Sequence, residues 1–134
     1  CEYKPVYSNQ NKVNYKIILT SFNGDKEINN LIASTIKRNN NESSNKTLNI
    51  SFDTNYTKNI LAKNTAGTVT DYQANVITRF TIQKENSSEN FSINEKFNFK
   101  KMTDKYEEKN YERTIKKNLA DSISQKLILR LTVN

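Results

Sequence analysis

Apolar residues recur along this chain with two different periods, and the changes of period divide it into six elements. Val13, Tyr15, Ile17 and Leu19 alternate with Asn14, Lys16, Ile18 and Thr20, the period of a β-strand. The Asn23-Gly24-Asp25 stretch then starts a helix, in which Ile28, Leu31, Ile32 and Ile36 form one stripe. Asn39-Asn40-Asn41 ends that helix, and a polar loop runs to Asn45. Leu48, Ile50, Phe52 and Tyr56 alternate with Asn49, Ser51, Asp53 and Asn55, which predicts a long second strand. Thr65-Ala66-Gly67 marks a turn. Tyr72, Ala74, Val76, Thr78, Phe80 and Ile82 predict the third strand, the clearest alternation in the chain. Glu85 to Asn90 reads as a polar turn, and Phe91, Ile93, Phe97 and Phe99 as a fourth strand.

From Asp104 to about Leu131 the period is helical again. Asp104 is the expected N-cap and Glu107 has capping-box spacing from it. Tyr111, Ile115, Leu119, Ile123 and Leu127 recur at every fourth residue, with Ala120 and Leu131 beside them. Such a helix is roughly 42 Å long, and a 12-residue strand about 40 Å, so the helix can lie along the sheet.

The order β-α-β-β-β-α predicts an α+β, two-layer sandwich. A four-stranded mixed sheet has one parallel crossover followed by a meander, and both helices pack on its one apolar face. The other face is polar, made of Asn, Ser, Thr, Gln and Lys. Residues 1–11 read as a tether and residues 12–134 as a single domain, in keeping with 134 residues in all.

Composition narrows the chemistry. Net charge is +7, which favours an anionic partner such as acidic lipid, polyanionic glycolipid or nucleic acid, although a lysine- and asparagine-rich composition also produces such an excess. With one Cys and no His, an intramolecular disulfide, a His/Cys zinc site and His-assisted nucleophilic catalysis are all excluded. No Gly-rich phosphate loop is present. Glu107-Glu108 reads as a solvated first helical turn rather than an acid–base pair, so no enzyme and no cofactor are expected. Six Asn-x-Ser/Thr sequons, at Asn41, Asn45, Asn49, Asn55, Asn86 and Asn90, fit chance in so Asn-rich a chain. Nucleic-acid binding would need aromatics exposed on the sheet among lysines, and Phe80, Phe91, Phe97 and Phe99 fall on the predicted core face.

Cys1 is the only cysteine and stands first. We read it as the residue that carries the lipid of a bacterial lipoprotein, diacylglycerol on the thiol and an acyl chain on the amine. Two or three chains anchor stably where one does not. Glu2 stands where some bacteria use Asp to retain lipoproteins at the inner membrane, so the expected location is the outer membrane, periplasmic side. Lys100, Lys101, Lys105 and Lys109 cluster at the junction of the fourth strand and last helix, and Lys58 and Lys63 lie near the turn into the third strand. In a meander these could form one basic end able to hold phosphates.

The chain resembles the LptE family of lipopolysaccharide (LPS)-assembly lipoproteins. The start Cys1-Glu2-Tyr3-Lys4-Pro5-Val6-Tyr7 resembles that family's C-G-F-x-P-L-Y, with Glu2 in place of Gly. Thr70-Asp71-Tyr72-Gln73 and the strand to Ile82 are similar to a strand of the family. So are the runs Leu119 to Ile123 and Lys126 to Leu131 to its closing helix. The resemblance covers essentially the whole chain. It implies a two-helix, four-strand sandwich that plugs the LptD β-barrel and helps to place LPS in the outer leaflet. It also implies an LPS-contacting basic residue in the turn before the Tyr72 strand, where Lys63 is nearest and Thr65 holds the closest position. A second contacting lysine lies before or within the last helix, with Lys105, Lys109 or the site of Glu108 as candidates. An accessory lipoprotein of another envelope lipid-transport system is the alternative reading.

Overall fold

The structure, a computed structural model, describes residues 13–132. The elements follow the order β1 (Lys16–Gly24), α1 (Lys26–Arg38), β2 (Thr47–Lys63), β3 (Val69–Gln83), β4 (Ser88–Lys100) and α2 (Lys105–Thr132). The four strands form one sheet in the order β1-β2-β3-β4. β1 runs parallel to β2, and the other pairs are antiparallel. This is the expected mixed sheet with both helices on one face. Cys1 and the tether lie outside the described residues.

Strand alternation sorts the sheet into rows. On the helix side, Ile50–Ile82–Glu89, Phe52–Phe80–Phe91, Thr54–Thr78–Ile93 and Tyr56–Val76–Glu95 lie across β2, β3 and β4. The next two rows are Lys58–Ala74–Phe97 and Ile60–Tyr72–Phe99. The open side is polar: Asp53–Arg79–Ser92, Asn55–Ile77–Asn94, Thr57–Asn75–Lys96 and Asn59–Gln73–Asn98. The Phe rings at 52, 80 and 91 meet across three strands, the first pair tilted with centroids 5.5 Å apart and the second stacked at 5.4 Å.

α1 buries Ile28, Ile32, Ala33 and Ile36, whereas Leu31 stays half-exposed at the rim of the stripe. α2 buries Ile115, Leu119, Ala120, Ile123, Leu127, Ile128 and Leu131. Burying a side chain of this size stabilises by about 1.5–3 kcal/mol, so these two stripes hold the layers together. Asp25 caps α1 by accepting from the Ile28 N–H at 2.9 Å.

Three details differ from the sequence reading. β1 starts later, at Lys16, and runs on to Gly24, and a bulge between Leu19 and Ser21 shifts its register against β2. That shift turns Phe22 to the helix side, where it stacks on Phe52 at 5.2 Å. The expected turn from Glu85 to Asn90 is shorter, since β4 already pairs with β3 at Gln83↔Ser88. Finally, the end of α2 that carries Glu107 and Glu108 is arranged differently from a capping box. Asp104 Oδ1 does accept from the N–H groups of Tyr106 and Glu107. It is Glu108, however, that reaches back, accepting from the Met102 N–H at 2.8 Å. Glu108 is therefore not solvated: its side chain is only 12% exposed.

Candidate functional site: a basic and apolar end of the sandwich

The last turns of β2, the first residues of β3, the end of β4 and the start of α2 meet at one end of the slab. Lys63 pairs with Val69, Asp71 pairs with Lys100, and the Lys101 N–H donates to Thr70 O at 2.8 Å. Lys63 and Lys100 continue the open-side rows of the sheet at this end, on strands two apart, and Lys101 is the first residue past β4. Lys105 opens the helix that leaves this corner, and Lys109 lies one turn further along it. All five are exposed. Lys100 lies 3.6 Å from Asp71, a surface pair of small energetic weight.

Lys58 belongs to a different environment. It sits five residues before Lys63, about 17 Å along a strand, and occupies a helix-facing position on β2. Its ammonium lies 3.3 Å from Glu112 and 3.8 Å from Glu108, both on α2. It also stands 4.3 Å over the Tyr72 ring and 5.8 Å over that of Phe99. Sequence reasoning put Lys58 with the other lysines; the structure separates it, because its strand position points under the helix.

Glu112 joins Lys58 to a longer polar seam. The Tyr56 hydroxyl donates to Glu112 Oε2 at 2.6 Å. Lys116 lies 4.7 Å over the Tyr56 ring and pairs with Asp25 at 3.0 Å and Glu27 at 3.2 Å. Burial, then the hydrogen bond and negative charge of Glu112, push the Tyr56 hydroxyl far above the usual tyrosine range. Burial works to lower the Lys116 pKa, but hydrogen bonds to Asp25 and Glu27 outweigh it and raise the value above the ordinary lysine one. The seam thus runs unbroken from the start of α1 to the β4–α2 junction. Neither Tyr56, Glu112 nor Lys116 stood out in the sequence. The signal was faint: Glu108, Glu112 and Lys116 occupy the row beside the Tyr111–Ile115 stripe, a row that turns apolar at Ala120.

Around this end several apolar side chains remain uncovered. Ile60 is 55% exposed and Phe97 45%, both on the helix side of the sheet, and Tyr106 and Tyr111 on α2 are exposed too. The Tyr111 ring meets that of Phe99 edge-on at 6.1 Å. An apolar patch rimmed by lysines is the chemistry of a surface for an anionic amphiphile. On the open face of the sheet, by contrast, the rows hold mainly amides and hydroxyls, and Asn75 Oδ1 is buried there without a hydrogen-bond partner. Among the described residues no group of acidic or cysteine side chains is arranged to hold a metal ion. No helix among them is long and apolar enough to cross a membrane.

An α+β sandwich of this topology, two helices on one face of a four-stranded mixed sheet, is the fold of several bacterial lipoproteins. The chain is similar to the rare lipoprotein B from Shewanella oneidensis, with a TM-score of 0.59 at 15% identity, covering 82% of this chain and 93% of that one. A minor lipoprotein from Acinetobacter baumannii gives a TM-score of 0.57 at 12% identity, over 87% of this chain and 94% of the other. For the lipoprotein B of Nitrosomonas europaea the TM-score is 0.56 at 11% identity, over 90% and 86%. No family model matches the chain, and no curated protein is significantly similar to it in sequence.

Proposed function

We propose that this protein is a lipid-anchored subunit of LPS transport and assembly at the outer membrane, seated within a β-barrel partner of the LptD kind. The lipid sits on Cys1. The observation that carries the reading is the end of the sandwich where exposed Lys101, Lys105 and Lys109 stand beside the uncovered Ile60, Phe97 and Tyr111. Lysines there meet phosphates as point charges, while the apolar side chains meet hydrocarbon. The fold shared with bacterial lipoproteins supports it. So does the amide- and hydroxyl-rich open sheet face, which is compatible with the polar lumen of a barrel. The role is one of binding and placing, with no chemical step assigned to any residue.

Native co-purification from outer membranes is the test. The reading requires a large β-barrel protein to come down with the lipidated chain, and purified LPS to bind the pair in a salt-sensitive way. Recovery with an inner-membrane transporter instead would favour an accessory lipoprotein of another lipid-transport system. Recovery with neither would sink both.

A further inference from the structure

The core-facing stripe of α2 changes character along its length. From Ile115 onward it is buried and apolar. In residues 105–114 no side chain is fully buried, and the positions that face the sheet are Glu108, Tyr111 and Glu112. Those ten residues touch the sheet through two carboxylates on Lys58, the Tyr56 hydroxyl on Glu112, and one aromatic edge. The sheet beneath is not polar to match. Lys58 is flanked in its own row by Ala74 and Phe97, and the next row is Ile60–Tyr72–Phe99. A charged latch thus holds a polar half-helix over an aromatic strip, and such a breach of the apolar pattern marks a segment from the low-stability end of the fold.

We propose that residues 105–114 form a flap, hinged where the buried stripe begins at Ile115, and that raising it opens a slot over Ala74, Tyr72, Phe97 and Phe99 for acyl chains of a phosphorylated lipid. The inference rests on the LPS reading above and deepens it. Charge selects this occupant. Lys101, just past the end of β4, and Lys105 and Lys109 on the first turns of α2 gather phosphate at the mouth of the slot. A phosphate that reaches Lys58 competes with Glu108 and Glu112 for its ammonium and repels both carboxylates, which releases the latch. The hydrocarbon then covers rings that Tyr111 had covered, together with the already exposed Phe97 and Ile60.

The test compares intact LPS with the same molecule stripped of its acyl chains, which keeps the sugars and phosphates. In the Cys1→Ser chain, Lys58→Cys and Glu112→Cys supply the only two thiols, which a short bismaleimide can bridge. Bridging should weaken binding of intact LPS at least tenfold relative to the unbridged protein, and leave binding of the deacylated form unchanged. Phe97→Ser, at an exposed position that folding tolerates, should lower affinity for the intact form about tenfold and spare the deacylated one. Equal affinity for intact LPS in bridged and unbridged protein overturns the flap while leaving the LPS reading standing. So does an unaltered Phe97→Ser, which decides the matter should the bridged pair fail to fold. Absence of binding by either form to the unsubstituted protein overturns the LPS reading itself, and the slot with it.

Discussion

The Tyr56 hydroxyl on β2 donates to Glu112 on α2 across 2.6 Å, and Lys116, one turn beyond Glu112, lies over the same tyrosine ring. One strand residue is therefore the meeting point of an acceptor and a cation from a single helix face. Tyr56→Phe removes a hydrogen bond to a charged group but leaves Glu112 with Lys58. The expected loss is about 1–2 kcal/mol, at the lower end for such bonds, read by denaturant unfolding. An unchanged midpoint would mean that Lys58 alone satisfies Glu112.

The same contacts give stability a pH dependence on the alkaline side. Tyr56 and Lys116 both have pKa values raised above their ordinary 10.0 and 10.5, so the folded protein holds these two protons more tightly than the unfolded chain. Their contribution is complete below about pH 10 and declines as pH rises beyond the unfolded values. Thermal midpoints measured from about pH 8 to 11 should fall over the upper part of that range. In the double variant Tyr56→Phe, Lys116→Met the fall should be shallower.

Lys58→Met should loosen the start of α2 more than the rest of the molecule. It leaves Glu108 and Glu112, with side chains 12% and 20% exposed, facing the sheet without that cation. A destabilisation of roughly 1–3 kcal/mol is expected. Hydrogen exchange should localise it, with amides of residues 108–114 losing protection while those of 119–131 keep most of theirs. Uniform loss along the helix would contradict the division of α2 into two halves.

In the core, Thr54 and Thr78 share a hydrogen bond of 3.0 Å, and both are fully buried. Thr54→Val alone orphans the Thr78 hydroxyl and should cost about 1–2 kcal/mol. The double change to Val removes both hydroxyls and should recover most of that. Equal stability of single and double variants would argue that the hydroxyls are not coupled.

Gly24 has φ of +101°, and a Cβ built there would lie 1.9 Å from the Thr54 carbonyl oxygen. Gly24→Ala meets both a disfavoured backbone conformation and a backbone clash, so a loss of at least about 2 kcal/mol is expected. Gly67→Ala is a useful contrast. Its φ of +85° is strained for alanine, but no atom lies within 4 Å of the added carbon, so the cost should be nearer 1 kcal/mol.

If Cys1 carries the lipid as proposed, Cys1→Ser should move the protein from the membrane to the soluble fraction and leave its unfolding curve unchanged. A variant that still fractionates with the membrane would refute the lipid anchor.

The elements and their order were legible from the chain because each strand alternates and each helix has a stripe. Thr78, Phe80 and Ile82 on β3 faced the core as their spacing required, and Ile115 to Leu131 did so on α2. Local period is set by backbone geometry, so it can be read one residue at a time. The net charge of +7 and the lone Cys were likewise properties of the sequence. What lay beyond it was every relationship between elements. A one-residue bulge in β1 decided which side Phe22 takes, and strand registry decided that Lys58 lies beneath Glu108 and Glu112 while Lys63 and Lys101 stand free at the end. Alternation carries no information about which residue of a neighbouring element faces a given position. That choice is made by packing two layers at once, and it turned a line of similar lysines into one latch and one basic rim.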